Sequence, residues 1–123
     1  LCRIVTKFQC ERRRRLLRRS KAPSKRFGGA IRLRPEMYHR YTQLHDAVWD
    51  EVLERMHKSN IRNFVIYYHG ETSTLFSHFE YIGHWDCASD QEAEQKFVDD
   101  MKAIASDPIV GEWWRYCEPC QEP

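Results

Sequence analysis

The sequence predicts an α+β protein in which an antiparallel sheet carries its helices on one face, and three observations lead there. Two runs rich in β-branched and aromatic residues, Ile61–His69 and Thr74–Tyr81, flank the breaker Gly70-Glu71-Thr72-Ser73 and read as a hairpin. Apolar residues from Met37 to Met56 recur at three- and four-residue spacing, the pattern of an amphipathic helix. Ser89-Asp-Gln-Glu92 has the capping-box pattern that announces a second helix.

In chain order, Phe27 to Arg34 alternates Ala30, Arg32 and Arg34 against Ile31 and Leu33, which suits a short strand with two glycines at its entry. Pro35 opens the first helix, where its missing N–H costs nothing. That helix is expected to run unbroken to about Lys58 through Tyr41, Leu44, His45, Val48, Trp49 and Val52. The hairpin follows, then a helix from Asp90 whose inner stripe is Ala93, Phe97, Val98, Met101, Ile104 and Ala105. Asp107-Pro108 begins a further short helix carrying Trp113 and Trp114. The order β-α-β-β-α argues for a ferredoxin-like α/β sandwich whose terminal strand is missing before Pro123.

At 123 residues the chain is one domain. Its net charge of +2 conceals an asymmetry. Residues 1–26 hold eleven Lys or Arg against Glu11 alone, whereas the remainder holds nine basic and seventeen acidic residues. A like-charged block such as Arg12 to Arg15 repels itself, so residues 1–25 are expected to be a disordered basic extension and 26–123 the folded domain. The extension could serve as an address, as a phosphate-binding arm or as a plain appendage. No apolar run spans a bilayer and no signal peptide is visible, which predicts a cytoplasmic protein with no membrane partner. Five scattered cysteines, an odd number, predict reduced thiols.

Tyr41, His45 and Trp49 stand at i, i+4 and i+8, so one continuous helix would present a phenol, an imidazole and an indole along one edge. A histidine on an apolar stripe is more often a satisfied core residue than a catalyst, and the residues alone leave both readings open. Trp113-Trp114 fits a sugar-stacking wall and a core plug about equally well. Cys117-x-x-Cys120 lacks the second pair a zinc site needs, the histidines show no ligand spacing, and no glycine-rich phosphate loop is present. No metal, nucleotide or other cofactor is predicted.

Three segments together resemble the L-rhamnose mutarotase family. They are Leu33 to Trp49 with its Tyr41-x-x-x-His45-x-x-x-Trp49 helix, the strand from Asn63 to Tyr67, and Asp107-Pro108 with Glu112-Trp113-Trp114-Arg115. The likeness runs from about Phe27 to Gln121 and implies a small enzyme that interconverts the α and β anomers of a deoxy-sugar. It implies His45 as the general acid, and Tyr41, Phe64, Trp113 and Trp114 as sugar contacts. Trp49, Asn63 and Tyr67 would support the site, with Tyr67 or Tyr68 supplying a hydroxyl. Phe64 stands where the family usually has a tyrosine, so one phenol donor is lost. The resemblance also implies a homodimer and a terminal strand beyond the Trp-Trp helix, so the domain is expected to be truncated.

Two other classes of function fit parts of the sequence. One is a non-catalytic dimeric module that binds nucleic acid through residues 1–25, by phosphate contacts that weaken steeply with salt. The other is a different ferredoxin-like dimer enzyme, such as a monooxygenase or a haem-degrading protein, because this fold hosts many chemistries.

Overall fold

The computed structural model describes residues 24–123 and, by their backbone, 2–5. Four strands form one antiparallel sheet in the order β1 (Cys2–Val5), β3 (Ile61–His69), β4 (Thr74–Tyr81) and β2 (Lys25–Arg32). The three predicted strands are present. The fourth, β1, falls within the basic extension expected to be disordered, yet it pairs with β3 from Cys2↔Tyr68 to Val5↔Val65. A strand partner supplies backbone hydrogen bonds whatever the local charge pattern. The disorder expected for the rest of the extension falls on residues 6–23, outside the described residues.

The helices are α1 (Tyr38–Asp46), α2 (Asp50–Lys58), α3 (Asp90–Ala105) and α4 (Pro108–Cys117). Short 3₁₀ turns at Pro35–Met37 and Glu118–Cys120 precede α1 and follow α4. The single helix expected from Pro35 to Lys58 is instead broken at Ala47–Trp49, where Ala47 leaves helical geometry and Trp49 is extended. Asp50 and Glu51 in the first turn of α2 favour a fresh N-terminus there. Val48 and Trp49, freed from the helical path, pack against the cluster of Val52, Trp113 and Cys117.

The caps behave as the sequence predicts. The Ser89 hydroxyl accepts from the Glu92 N–H, while the Glu92 carboxylate accepts from the Ala88 N–H. Asp107 accepts from the N–H groups of Ile109 and Val110, and Pro108 stands in the first turn of α4. The Trp-Trp helix is thereby held at a fixed start.

One irregularity decides which strand residues face the helices. Between Arg62 and Val65, β3 holds one residue more than its partner β4. Asn63 takes up the extra residue at φ 53°, in the left-handed region where asparagine is among the tolerated residues, and its amide donates to Glu80 at 3.0 Å. Beyond this bulge, Phe64, Ile66 and Tyr68 face the helices with Leu33 and Leu75. The alternate residues Val65 and Tyr67 pair with His78 and Phe76 on the other face.

After α4 the chain turns back to the sheet. Gln121 bridges Leu33, the Arg34 N–H donates to the Cys120 carbonyl, and the Glu122 N–H donates to the Arg32 carbonyl. These contacts run along the outer edge of β2, opposite the edge that β1 occupies. Leu33 and Cys120 are thus fully buried beneath α1.

Candidate active site

Tyr41 and His45 lie one turn apart on α1, and both are buried, at 3% and 8% exposure. Their rings stack with centroids 4.0 Å apart. The Trp113 indole, from the middle of α4, meets the imidazole edge-on at 5.7 Å and Trp49 at 5.5 Å. Trp49 also reaches Tyr116 at 5.6 Å. The helix break therefore does not separate the expected trio: Trp49 arrives through the loop and joins the same aromatic group by way of Trp113.

The imidazole has a defined tautomer. Its Nδ1 stands 3.0 Å from the Tyr41 backbone carbonyl, which can only accept, so Nδ1 carries the proton. Neutral His45 accordingly keeps a lone pair on Nε2, and no described residue hydrogen-bonds that atom. Burial lowers the His45 pKa, opposed in part by the Tyr41 carbonyl and the nearby Asp46 carboxylate. The resting side chain is a neutral imidazole able to take up a proton.

Burial raises the Tyr41 pKa, and the neighbouring Cys117 and Cys120 add to the effect, so its phenol stays protonated. The Cys117 thiol, wholly buried, is pushed up to about 12 mainly by burial. Burial also raises Cys120. Both cysteines are free, as is Cys87. Among the described residues no group of three or more His, Cys, Asp or Glu side chains is placed to hold a metal ion.

Other residues singled out by sequence lie at different distances from this group. Phe64 packs against the cluster that contains Tyr41, Ile66 and Leu75, and stacks on Phe79 at 5.4 Å. Trp114 is 51% exposed, as its step of about 100° around the helix from buried Trp113 requires. Asn63 is engaged with Glu80, and Tyr67 lies on the opposite face of the sheet. Tyr68, on the inner face, packs against Tyr38 at 4.5 Å with its hydroxyl 3.5 Å from that of Ser73. Tyr116 joins this aromatic group although it belongs to no motif in the sequence; its place three residues after Trp113, on the same side of α4, is its one sequence signal.

The fold and this site define a small α+β protein that holds a histidine of fixed tautomer inside an aromatic shell. Residues 26–123 match the family described as L-rhamnose mutarotase, and the chain belongs to that family. The L-rhamnose mutarotase of Tolumonas auensis is 30% identical over 84 residues, which are 68% of this chain and 67% of that protein. The L-rhamnose mutarotase of Brucella anthropi is 26% identical over 91 residues, 74% of this chain and 73% of its own. The crystal structure of an L-rhamnose mutarotase from Formosa agariphila shares the fold, with a TM-score of 0.57, 20% identity and 79% of each chain covered. No helix of the described residues is long and apolar enough to cross a membrane.

Proposed function

We propose that this chain is a sugar mutarotase that interconverts the α and β anomers of L-rhamnose or a related deoxy-sugar, with His45 as its acid–base group. The observation that carries the reading is the buried imidazole whose Nδ1–H is committed to the Tyr41 carbonyl, which leaves Nε2 to exchange protons with a ligand. Neutral Nε2 takes the proton of the anomeric hydroxyl. The C1–O bond of the ring breaks, its electron pair goes to the ring oxygen, and that oxygen receives the proton from the imidazolium. Both oxygens are bonded to C1, so one nitrogen serves both transfers. Rotation of the open aldehyde and the reverse steps deliver the other anomer, and no atom or electron is left over. General acid–base help of this kind contributes roughly 10² to 10⁴ in rate and asks for no cofactor.

Trp113 and the exposed ring of Trp114 supply apolar faces for the C–H surfaces of the sugar. Tyr41 and Phe64 complete the binding group, and Tyr68, rather than Tyr67, is the phenol on the same side of the sheet. The test is anomer exchange in L-rhamnose followed by saturation-difference NMR, with and without protein, and with His45→Ala. Protein-dependent exchange that disappears in a folded His45→Ala variant supports the mechanism. Unchanged exchange in that variant would refute it.

The reading extends to a cytoplasmic homodimer joined through the sheet face that the helices leave open. Phe76 is 44% exposed on that face, beside Tyr67 and across from Ala30. Light scattering should give twice the chain mass, reduced to one by Phe76→Asp. A wild-type monomer at tens of micromolar would dismiss this assembly and leave the acid–base chemistry of His45 to its own test.

A further inference from the structure

Two thiols lie beneath the His45 group and take no part in its acid–base chemistry. Cys117 closes α4 and Cys120 closes the 3₁₀ turn that follows, so the two stand three residues apart in one continuous helical turn. Glu118 between them has helical angles, φ −55° and ψ −42°. Helical pitch and radius put Cα atoms at that spacing about 5 Å apart, inside the range of about 4.4–6.8 Å that a disulfide bridges. The 3₁₀ turn brings the side chains closer, because positions i and i+3 eclipse in it. Both thiols are free and wholly buried.

Each cysteine belongs to a different half of the aromatic group. Cys117 stands one turn after Trp113 and shares its cluster, whereas Cys120 packs with Tyr41, Leu33 and Ile66. Both sulfurs act on the Tyr41 phenol, adding to burial in raising its pKa. Tyr41 stacks on the His45 imidazole, and Trp113 meets the same ring edge-on. A closely packed interior transmits strain, so a bond between these two sulfurs would displace both rings that frame His45.

We infer that Cys117 and Cys120 form a reversible disulfide that acts as a redox switch on the His45 site, with a small-molecule disulfide such as oxidised glutathione as the oxidant. Access comes through the 3₁₀ turn. Two backbone hydrogen bonds tie its end to the sheet, from the Arg34 N–H to the Cys120 carbonyl and from the Glu122 N–H to the Arg32 carbonyl. Opening so small a unit costs less than unfolding the domain. The freed Cys120 thiolate attacks one sulfur of the oxidant and expels one thiol, which takes up a proton. The Cys117 thiolate then attacks the Cys120 sulfur of the mixed disulfide and expels the second thiol. Two electrons pass from the pair to the oxidant, and the two cysteine protons leave with its two thiols. The Arg40 guanidinium opposes the effect of burial at both sulfurs and so favours the attacking thiolates. Burial sets the pace of the exchange, while the redox couple sets its end point. The inference stands on the cysteine pair and its contacts and does not depend on the sugar chemistry.

The test equilibrates the folded chain overnight at pH 8 over a series of oxidised-to-reduced glutathione ratios. The tryptic peptide that begins at Tyr116 carries both cysteines, and its mass reports their state. The expected result is loss of two hydrogens from that peptide, saturating with the ratio and reversed by dithiothreitol, with the circular dichroism of the fold retained. The NMR signals of the His45 and Tyr41 rings should shift in step with the conversion. Cys120→Ala and Cys117→Ala should each abolish the shift, whereas Cys87→Ser should leave it unchanged. Two thiols that persist at every ratio overturn the inference, as does a stable mixed disulfide with glutathione. A disulfide that forms only with loss of the fold, or that leaves the His45 ring signals unmoved, also overturns it.

Discussion

The Nδ1 of His45 and the backbone carbonyl of Tyr41, 3.0 Å apart within one turn of α1, fix both the tautomer and the orientation of the imidazole. Because burial lowers the pKa below the usual value near 6.5, the unfolded chain binds the proton more readily than the folded one. The contribution of this residue to stability is therefore complete above about pH 6.5 and declines as pH falls towards the folded value. Urea denaturation between pH 4 and 8 should show a shallower acid-side loss in His45→Gln than in the wild type. Anomer exchange should fall over the same range as Nε2 becomes protonated, with an NMR titration midpoint below 6.5.

Trp113 and Trp114 should separate cleanly on truncation. Trp113 is buried among His45, Trp49 and Val52, so Trp113→Ala should destabilise by about 3–5 kcal/mol. Trp114 is half exposed, and Trp114→Ala should stay within about 0.5 kcal/mol while weakening sugar binding. Denaturation midpoints and a rhamnose titration of the two variants check both statements.

Asn63→Gly should be nearly neutral for the backbone and lose only the amide contact to Glu80, because φ 53° suits glycine. Asn63→Val should cost about 1–2 kcal/mol more, since a β-branched side chain resists that region. Comparing the two by urea titration isolates the strain of the bulge from the hydrogen bond.

The thiols should react in the order of their access. Cys117 and Cys120 are wholly buried and burial raises both, whereas Cys87 is partly exposed. Peptide mapping after brief iodoacetamide treatment at pH 8 should find Cys87 alkylated and the other two protected until denaturant is added.

Tyr81 donates a 2.6 Å hydrogen bond to Asp100, which also meets His84 at 2.8 Å and Asn60 at 3.4 Å. Tyr81→Phe should cost about 1.5 kcal/mol, at the low end for a bond to a charged group, because the carboxylate keeps its other partners. Thermal unfolding of the variant measures it.

Much of this architecture could be read from the sequence because its signals are local. The Ser89–Glu92 and Asp107-Pro108 caps lie within four residues and satisfy backbone groups wherever the helices pack. The hairpin strands are bounded by their own turn residues. What escaped depends on distant partners. The break at Ala47 has only the acidic pair Asp50-Glu51 as a local mark, because its cause includes the packing of Val48 and Trp49 on α4. The β1 strand exists through its pairing with β3, whose partner residues lie 60 to 66 positions away. For the site, the Tyr41–His45 stack follows from i, i+4 spacing, while the arrival of Trp113 beside the imidazole needs the whole fold.

The extra residue at Asn63 works as a phase correction in the strand. Side chains alternate every two residues, so counting from buried Ile61 assigns Tyr67 to the helix side, yet after the bulge it is Tyr68 that stands there. An added residue between Val65 and Tyr67 would restore the uncorrected count and exchange the two tyrosines across the sheet. A reading frame of one residue, held by a single asparagine, thus selects which of two adjacent phenols shares a face with His45.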